Sequence, residues 1–345
     1  MASHTSAEAP VSSVGDSNQL ALFRRMAWIT IAAVYVLILV GASVRASGSG
    51  MGCPDWPTCF GQWIPPTSEA QLPSNYQEIY AARGYAETRF NVTKTWTEYM
   101  NRLLGVTIGF LIFATAILSW RTRAHDPRIA KAAVAAFLMV GFQGWLGSRV
   151  VAANLLPGLI TLHMLVALAI VGVLLYAVAQ ARRGIMEAQP VTQIDPRFTK
   201  WLYIVLALTV LQVAMGTQVR EMTDMISRAQ GEELRSSWID AMPWFFYVHR
   251  SFSAVVLFSN LWLARLLIGS LGWGHTLTRM TLAMIVVIGF AVVSGATLGH
   301  LGMPKLVQPT HLLAASLLFG LQFLIWMSFR HAQSASQSEL TGATA

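Results

Sequence analysis

Phe246-Tyr247-Val248-His249-Arg250 stands at the start of one apolar segment. Gln308-Pro309-Thr310-His311-Leu312 stands at the start of another, 62 residues on from histidine to histidine. Displaced by 148 positions towards the N-terminus, the pattern recurs. His311 falls on His163, Arg250 on Arg102, Tyr247 on Tyr99, Gly295 on Gly147, and Gly289-Phe290 on Gly141-Phe142. One position breaks the match, because His249 falls on Asn101. The chain therefore reads as two copies of one unit, one with a pair of histidines and one with a single histidine. Paired histidines in a bilayer hold haem iron or relay protons. A pair beside a half-pair points to two sites with different tasks.

The surrounding composition is that of a polytopic membrane protein. Of 345 residues, 54% are hydrophobic and only 12% charged, as membrane chains require. Eight segments are apolar and long enough to span, near 26–46, 98–120, 130–149, 158–181, 200–220, 244–268, 277–298 and 306–329. They lack strand alternation, so helices are expected. Arg24, Arg25, Arg121, Arg123, Arg128, Lys131, Arg182, Arg183, Arg197, Lys200, Arg265, Arg279 and Arg330 all fall on one side. That side reads as cytoplasmic and takes both termini. The net charge of +8 is mostly this topology signal, and gives no reason to invoke nucleic acid.

The fold class that follows is all-α, with eight transmembrane helices in two pseudo-symmetric four-helix bundles. Residues 1–22 and 331–345 read as disordered cytoplasmic tails. Residues 23–183 form the first bundle, 184–199 a cytoplasmic linker, and 200–330 the second bundle. An even number of helices per copy makes the repeats parallel, related by an axis along the membrane normal. The outer side has two long loops, roughly 47–97 and 221–243, whose Pro and Trp content predicts ordered caps. The first contains Cys53 and Cys59, a pair on the oxidising side and so disulfide-permissive. It reads as a plain staple of the loop or as a redox pair.

Residues Gly41-Ala42-Ser43-Val44-Arg45 end helix 1, and Gly216-Thr217-Gln218-Val219-Arg220 end helix 5. Asn101, His163, His249 and His311 all lie roughly 5–10 Å below the outer hydrocarbon boundary at about 1.5 Å per residue. Arg45, Arg102, Arg220 and Arg250 cluster at that level. A lone arginine there snorkels to the interface. Four at matched positions beside histidines suit a haem, with imidazole on iron and guanidinium on propionate. A single membrane histidine is most often a polar core residue, but a repeated pair is not. His4, His125, His275 and His331 fall in tails or cytoplasmic loops, and His300 in an outer loop within reach of the second site. His249 and His311 together leave no open position on iron, which suits electron transfer. His163 with Asn101 leaves one open or water-filled, as oxygen chemistry requires. Glu98 lies one turn before Asn101 on the same face, and its counterpart is Phe246. It is a candidate proton donor or acceptor, or else an interfacial carboxylate favoured by the helix dipole.

Over about 24–330 the chain resembles the haem A synthase family. The resemblance rests on Gly52-Cys53-Pro54-Asp55-Trp56-Pro57-Thr58-Cys59, on the Gly41–Arg45 stretch before it, and on the two histidine motifs quoted first. It implies a mono-oxygenase that converts haem O to haem A, oxidising the porphyrin C8 methyl to formyl by successive hydroxylations and loss of water. It implies haem b between His249 and His311, flanked by Arg220 and Arg250. It implies the substrate haem against His163, with Asn101, Arg45 and Arg102 around it, and an essential Glu98 in the family's Glu-x-x-His-Arg motif. Asn101 departs from that motif. Expected partners are a haem O-forming farnesyltransferase as substrate source, a ferredoxin-like protein or quinol as electron donor, and a terminal oxidase awaiting haem A. A homo-oligomer is left open. The expected location is a bacterial plasma membrane, since no transit sequence precedes helix 1. The alternative is a bis-histidine electron-transfer membrane protein without its own substrate. A transporter built from repeats is weaker, since the polar residues gather at the outer edge and not at the midplane.

Overall fold

The computed structural model describes residues 12–189, 191, 194–231 and 233–342. The main elements are α1 (Ser12–Ala46), α2 (Tyr76–Ile79), α3 (Val92–Ser119), α4 (Pro127–Ala152) and α5 (Pro157–Ala181), followed by α6 (Arg183–Glu187), α7 (Arg197–Gln230), α8 (Trp244–Leu271), α9 (Thr276–His300) and α10 (Val307–Gly342). Eight of them are long and apolar enough to cross a membrane, and all but α2 and α6 belong to that set. The protein is a multi-pass, all-helical membrane protein.

Local chemistry sets the helix ends. Asn91 caps α3 by accepting from the Lys94 amide at 3.0 Å, as an N-cap does. Asp126 caps α4 through the Arg128 amide, with Pro127 in the first turn, where its missing N–H costs nothing. Gly231 and Gly272 end α7 and α8 at φ of +78° and +71°, a backbone that L side chains resist.

Two apolar cores result. One gathers Ile31 of α1, Ile112 of α3, Ala133 of α4 and Val171 of α5; the other gathers Leu202 of α7, Leu263 of α8, Met284 of α9 and Ile325 of α10. Between them α1 and α5 pack on α10, and α5 on α7. Thr161 and Thr217 share a 2.7 Å hydrogen bond across the α5–α7 seam. In the second core, Gln322 donates to Thr209 and Asn260 at 2.9 and 2.8 Å, polar contacts that join helices where no water competes.

Three expectations need correction. The tail expected over 1–22 is helical from Ser12, and residues 1–11 lie outside the described ones; Leu20 already packs on the first core. The tail expected from 331 continues α10 to Gly342. It has no Gly or Pro to stop it earlier, and Ala332, His331 and Ser336 are buried, with Ser336 accepting from the Val191 amide. The loop expected from 221 begins only after Gln230, because the first breaker is Gly231. Both outer caps are ordered. Phe60, Tyr76, Tyr80, Tyr85 and Phe90 form an aromatic cluster in the first, and Trp238 fills a small core in the second.

Candidate functional site

Each of the four positions singled out by the repeat faces a glycine on the preceding membrane-spanning helix. A Cβ on Gly147 would stand 3.4 Å from His163 Cε1, one on Gly216 3.3 Å from His249 Cε1, and one on Gly295 3.0 Å from His311 Cε1. A Cβ on Gly41 would stand 3.8 Å from Asn101 Oδ1, an ordinary contact. Glycine is what lets a helix backbone come this near a ring. Two glutamines hold the chain at these positions. Gln143 donates to the His163 carbonyl at 2.8 Å and Gln212 to the His249 carbonyl at 3.1 Å.

The structure brings His249 and His311 to one cavity of about 430 Å³ between α7, α8, α9 and α10. Its walls are mostly apolar, including Val213, Val256, Ile288 and Leu318, and its rim bears Arg45, Arg220, Arg250 and His300. His311 Nδ1 lies 3.0 Å from the Ser294 hydroxyl. His249 Nδ1 is buried without a partner, as is His163 Nδ1 in the first bundle. Two imidazoles in an apolar slot with guanidiniums at its rim fit a haem by donor chemistry. Arg250 also lies over the Tyr247 ring at 5.3 Å.

The first-bundle residues serve the outer loop. Cys53 and Cys59 are joined by a disulfide. Glu98, buried, accepts from the Cys53 amide at 2.9 Å and from Arg102 at 2.5 and 3.2 Å. Arg102 further donates to the carbonyls of Asp55, Thr58 and Cys53. Its five N–H groups are thereby all engaged, which leaves none for a propionate. Asp55 closes the loop by accepting from the Phe60 and Gly61 amides and the Thr58 hydroxyl. A Cβ on Gly52 would collide with the Lys94 backbone. Tyr85 donates to the Met51 carbonyl at 2.7 Å. Burial, then the Glu98 charge, pushes its phenol up, so it stays a donor. Asn101 Oδ1 is buried with no partner. Met100 is 54% exposed, turned outward as its helical offset from Asn101 requires.

One residue missed in the sequence ties the halves together. Asp224, on the extra turns of α7, pairs with Arg45 at 2.7 Å and with Arg220 at 2.6 Å. Arg220 also donates to the Arg45 carbonyl at 3.1 Å and to Gln308. Arg45, expected at the first site, thus lies at the rim of the second. The available signal was the i,i+4 spacing of Arg220 and Asp224, hidden by ending the helix at 220. Ser294, Gln143 and Gln212 were also missed; Ser294 directly precedes Gly295, where the repeat already marked the chain. His331, expected in the tail, is buried in α10.

Residues 24–323 match the model of the cytochrome oxidase assembly protein family. A protein named heme A synthase from Shewanella oneidensis is 28% identical over 185 residues, 53% of each chain. Another of that name from Methylobacterium radiotolerans is 29% identical over 194 residues, 52% of each chain. A third, from Shouchella clausii, is 32% identical over 143 residues, 41% of this chain and 39% of its own. The alignments to the first two span about half the length of those relatives.

Proposed function

The chain belongs to the cytochrome oxidase assembly protein family, and from that premise we propose that it is a haem A synthase, an oxidoreductase that converts the C8 methyl of haem O to a formyl group. The observation that carries the reading is the pair of unequal sites: a histidine pair in one cavity, and in the other bundle a single histidine with Asn101 at the matching place. The names of the relatives support the substrate.

In this reading the two four-helix units divide the work. His249 and His311 would hold the iron of haem b, with Arg220 and Arg250 as the cationic groups for its propionates. Bound there, haem b supplies one-electron transfer. His163 would hold the iron of haem O, and Asn101, a weak ligand, would offer no second strong one. Glu98 is the carboxylate that takes or gives protons in the first bundle. Arg102 holds it in place and ties it to the disulfide loop, which caps the site against bulk water. The termini face the cytoplasm of a bacterial plasma membrane. Haem O arrives from a farnesyltransferase, electrons from a ferredoxin-like protein or a quinol, and haem A leaves for a terminal oxidase.

Co-expression with a haem O-forming farnesyltransferase, followed by extraction and chromatography of haems, tests the proposal. Haem A or a hydroxylated haem O is expected. Recovery of haem O alone, beside protein that retains haem b, would leave the electron-transfer reading in its place.

A further inference from the structure

The α5 and α10 histidines differ in what stands beside the imidazole. Each imidazole lies against a glycine, Gly147 or Gly295. Yet the residue before that glycine is Leu146 in the first bundle and Ser294 in the second. The Ser294 hydroxyl has one proton and donates it to the Ala291 carbonyl at 3.0 Å. With that proton so placed, its oxygen is free to accept from the His311 tautomer protonated at Nδ1, 3.0 Å away. In that tautomer the lone pair is on Nε2, ready for a metal. Leu146, 2% exposed, has no polar atom to offer, and His163 Nδ1 is buried without a partner. Among the described residues, no hydrogen bond at Nδ1 selects the tautomer of the His163 ring.

We propose that Ser294 is a positioning residue that makes the second site a permanent one, and that Leu146 keeps His163 an exchangeable ligand for a porphyrin that must leave after oxidation. The inference rests on the haem reading above and deepens it. An outer hydrogen bond to a ligating imidazole fixes its tautomer and raises its basicity. A cofactor needs that hold; a substrate that turns over is slowed by it, because tighter ligation acts mainly on the release rate. The two sites thus separate by residence time, with the same first ligand type in both.

The test uses the full chain in nanodiscs, loaded with haem b and haem O. Release of each haem to excess apomyoglobin is followed optically, with low-spin electron paramagnetic resonance as a second readout. Ser294→Ala should speed haem b release about 10- to 100-fold, the scale of losing an outer-shell partner, and shift its low-spin signal. Ser294→Thr, which keeps the hydroxyl, should restore both. Leu146→Ser should slow haem O release about tenfold. Wild-type haem b release from Ser294→Ala overturns the role of Ser294, and unchanged haem O release from folded Leu146→Ser overturns that of Leu146. The Ser294 variants decide the first point even where Leu146→Ser does not fold. His311→Ala keeps the two levels apart. If it retains the low-spin haem b signal, the haem reading itself fails; if it loses that signal while Ser294→Ala releases haem b normally, only the present inference does.

Discussion

Gly295 lies so near His311 that a Cβ there would stand 3.0 Å from Cε1 and 3.6 Å from Nδ1. The glycine and the histidine sit on neighbouring helices, and the ring occupies the space a side chain would take. A side chain at 295 would require the ring to give way by a few tenths of an ångström.

Gly295→Ala should push the ring off its seat and break the Ser294 contact. Iron affinity at the second site is expected to fall about 10- to 100-fold, read as loss of low-spin haem b from purified protein. Gly147→Ala, where the same Cβ would stand 3.4 Å from His163, should leave haem b in place. Full haem b in Gly295→Ala would show that the glycine is not needed to seat the ring.

Asp224→Asn removes the charge that Arg45 and Arg220 share across the two halves. The carboxylate is 19% exposed, between the buried and surface cases, so the loss should be about 1–3 kcal/mol. Thermal unfolding in detergent should show a lower midpoint, smaller in high salt relative to wild type. An unchanged midpoint would mean that the clamp adds no stability.

Much of this was legible in the chain. His163, His249, His311 and their glycines follow from a repeat, because both copies need a ring beside a bare backbone. The eight spans follow from apolar length. The ends of α7 and α10 did not, since polarity marks where the membrane stops and not where a helix does; only Gly231 stops α7. The destinations of Arg45 and Arg102 were also hidden. Their height in the membrane is local, but their acceptors, Asp224 and the loop carbonyls of Cys53, Asp55 and Thr58, are set by long-range packing.

Cys53 and Cys59 should resist thiol labelling in denatured protein isolated without reductant, and label fully after reduction. The bond and the Arg102 contacts hold one loop, so Cys53→Ser/Cys59→Ser should lower the thermal midpoint while haem b remains. Complete labelling before reduction would contradict the bond.

Glu98→Gln keeps the shape and removes the charge opposite Arg102. Breaking a buried pair on one side costs about 3–5 kcal/mol at most, so the variant should be less stable yet folded. Haem A should fail to accumulate, with the haem b spectrum retained in the other bundle. A normal haem A yield would refute the proton role of Glu98.

The central claim is that the two sites are unequal, and electron paramagnetic resonance of the oxidised, haem O-loaded protein tests it most directly. The expected spectrum has one low-spin bis-histidine signal, lost in His249→Ala and His311→Ala, beside a high-spin or water-ligated signal lost in His163→Ala. Asn101→His should convert the second towards low-spin, since position 101 faces Gly41 as His249 faces Gly216. Two low-spin bis-histidine signals in the wild-type protein would contradict the account.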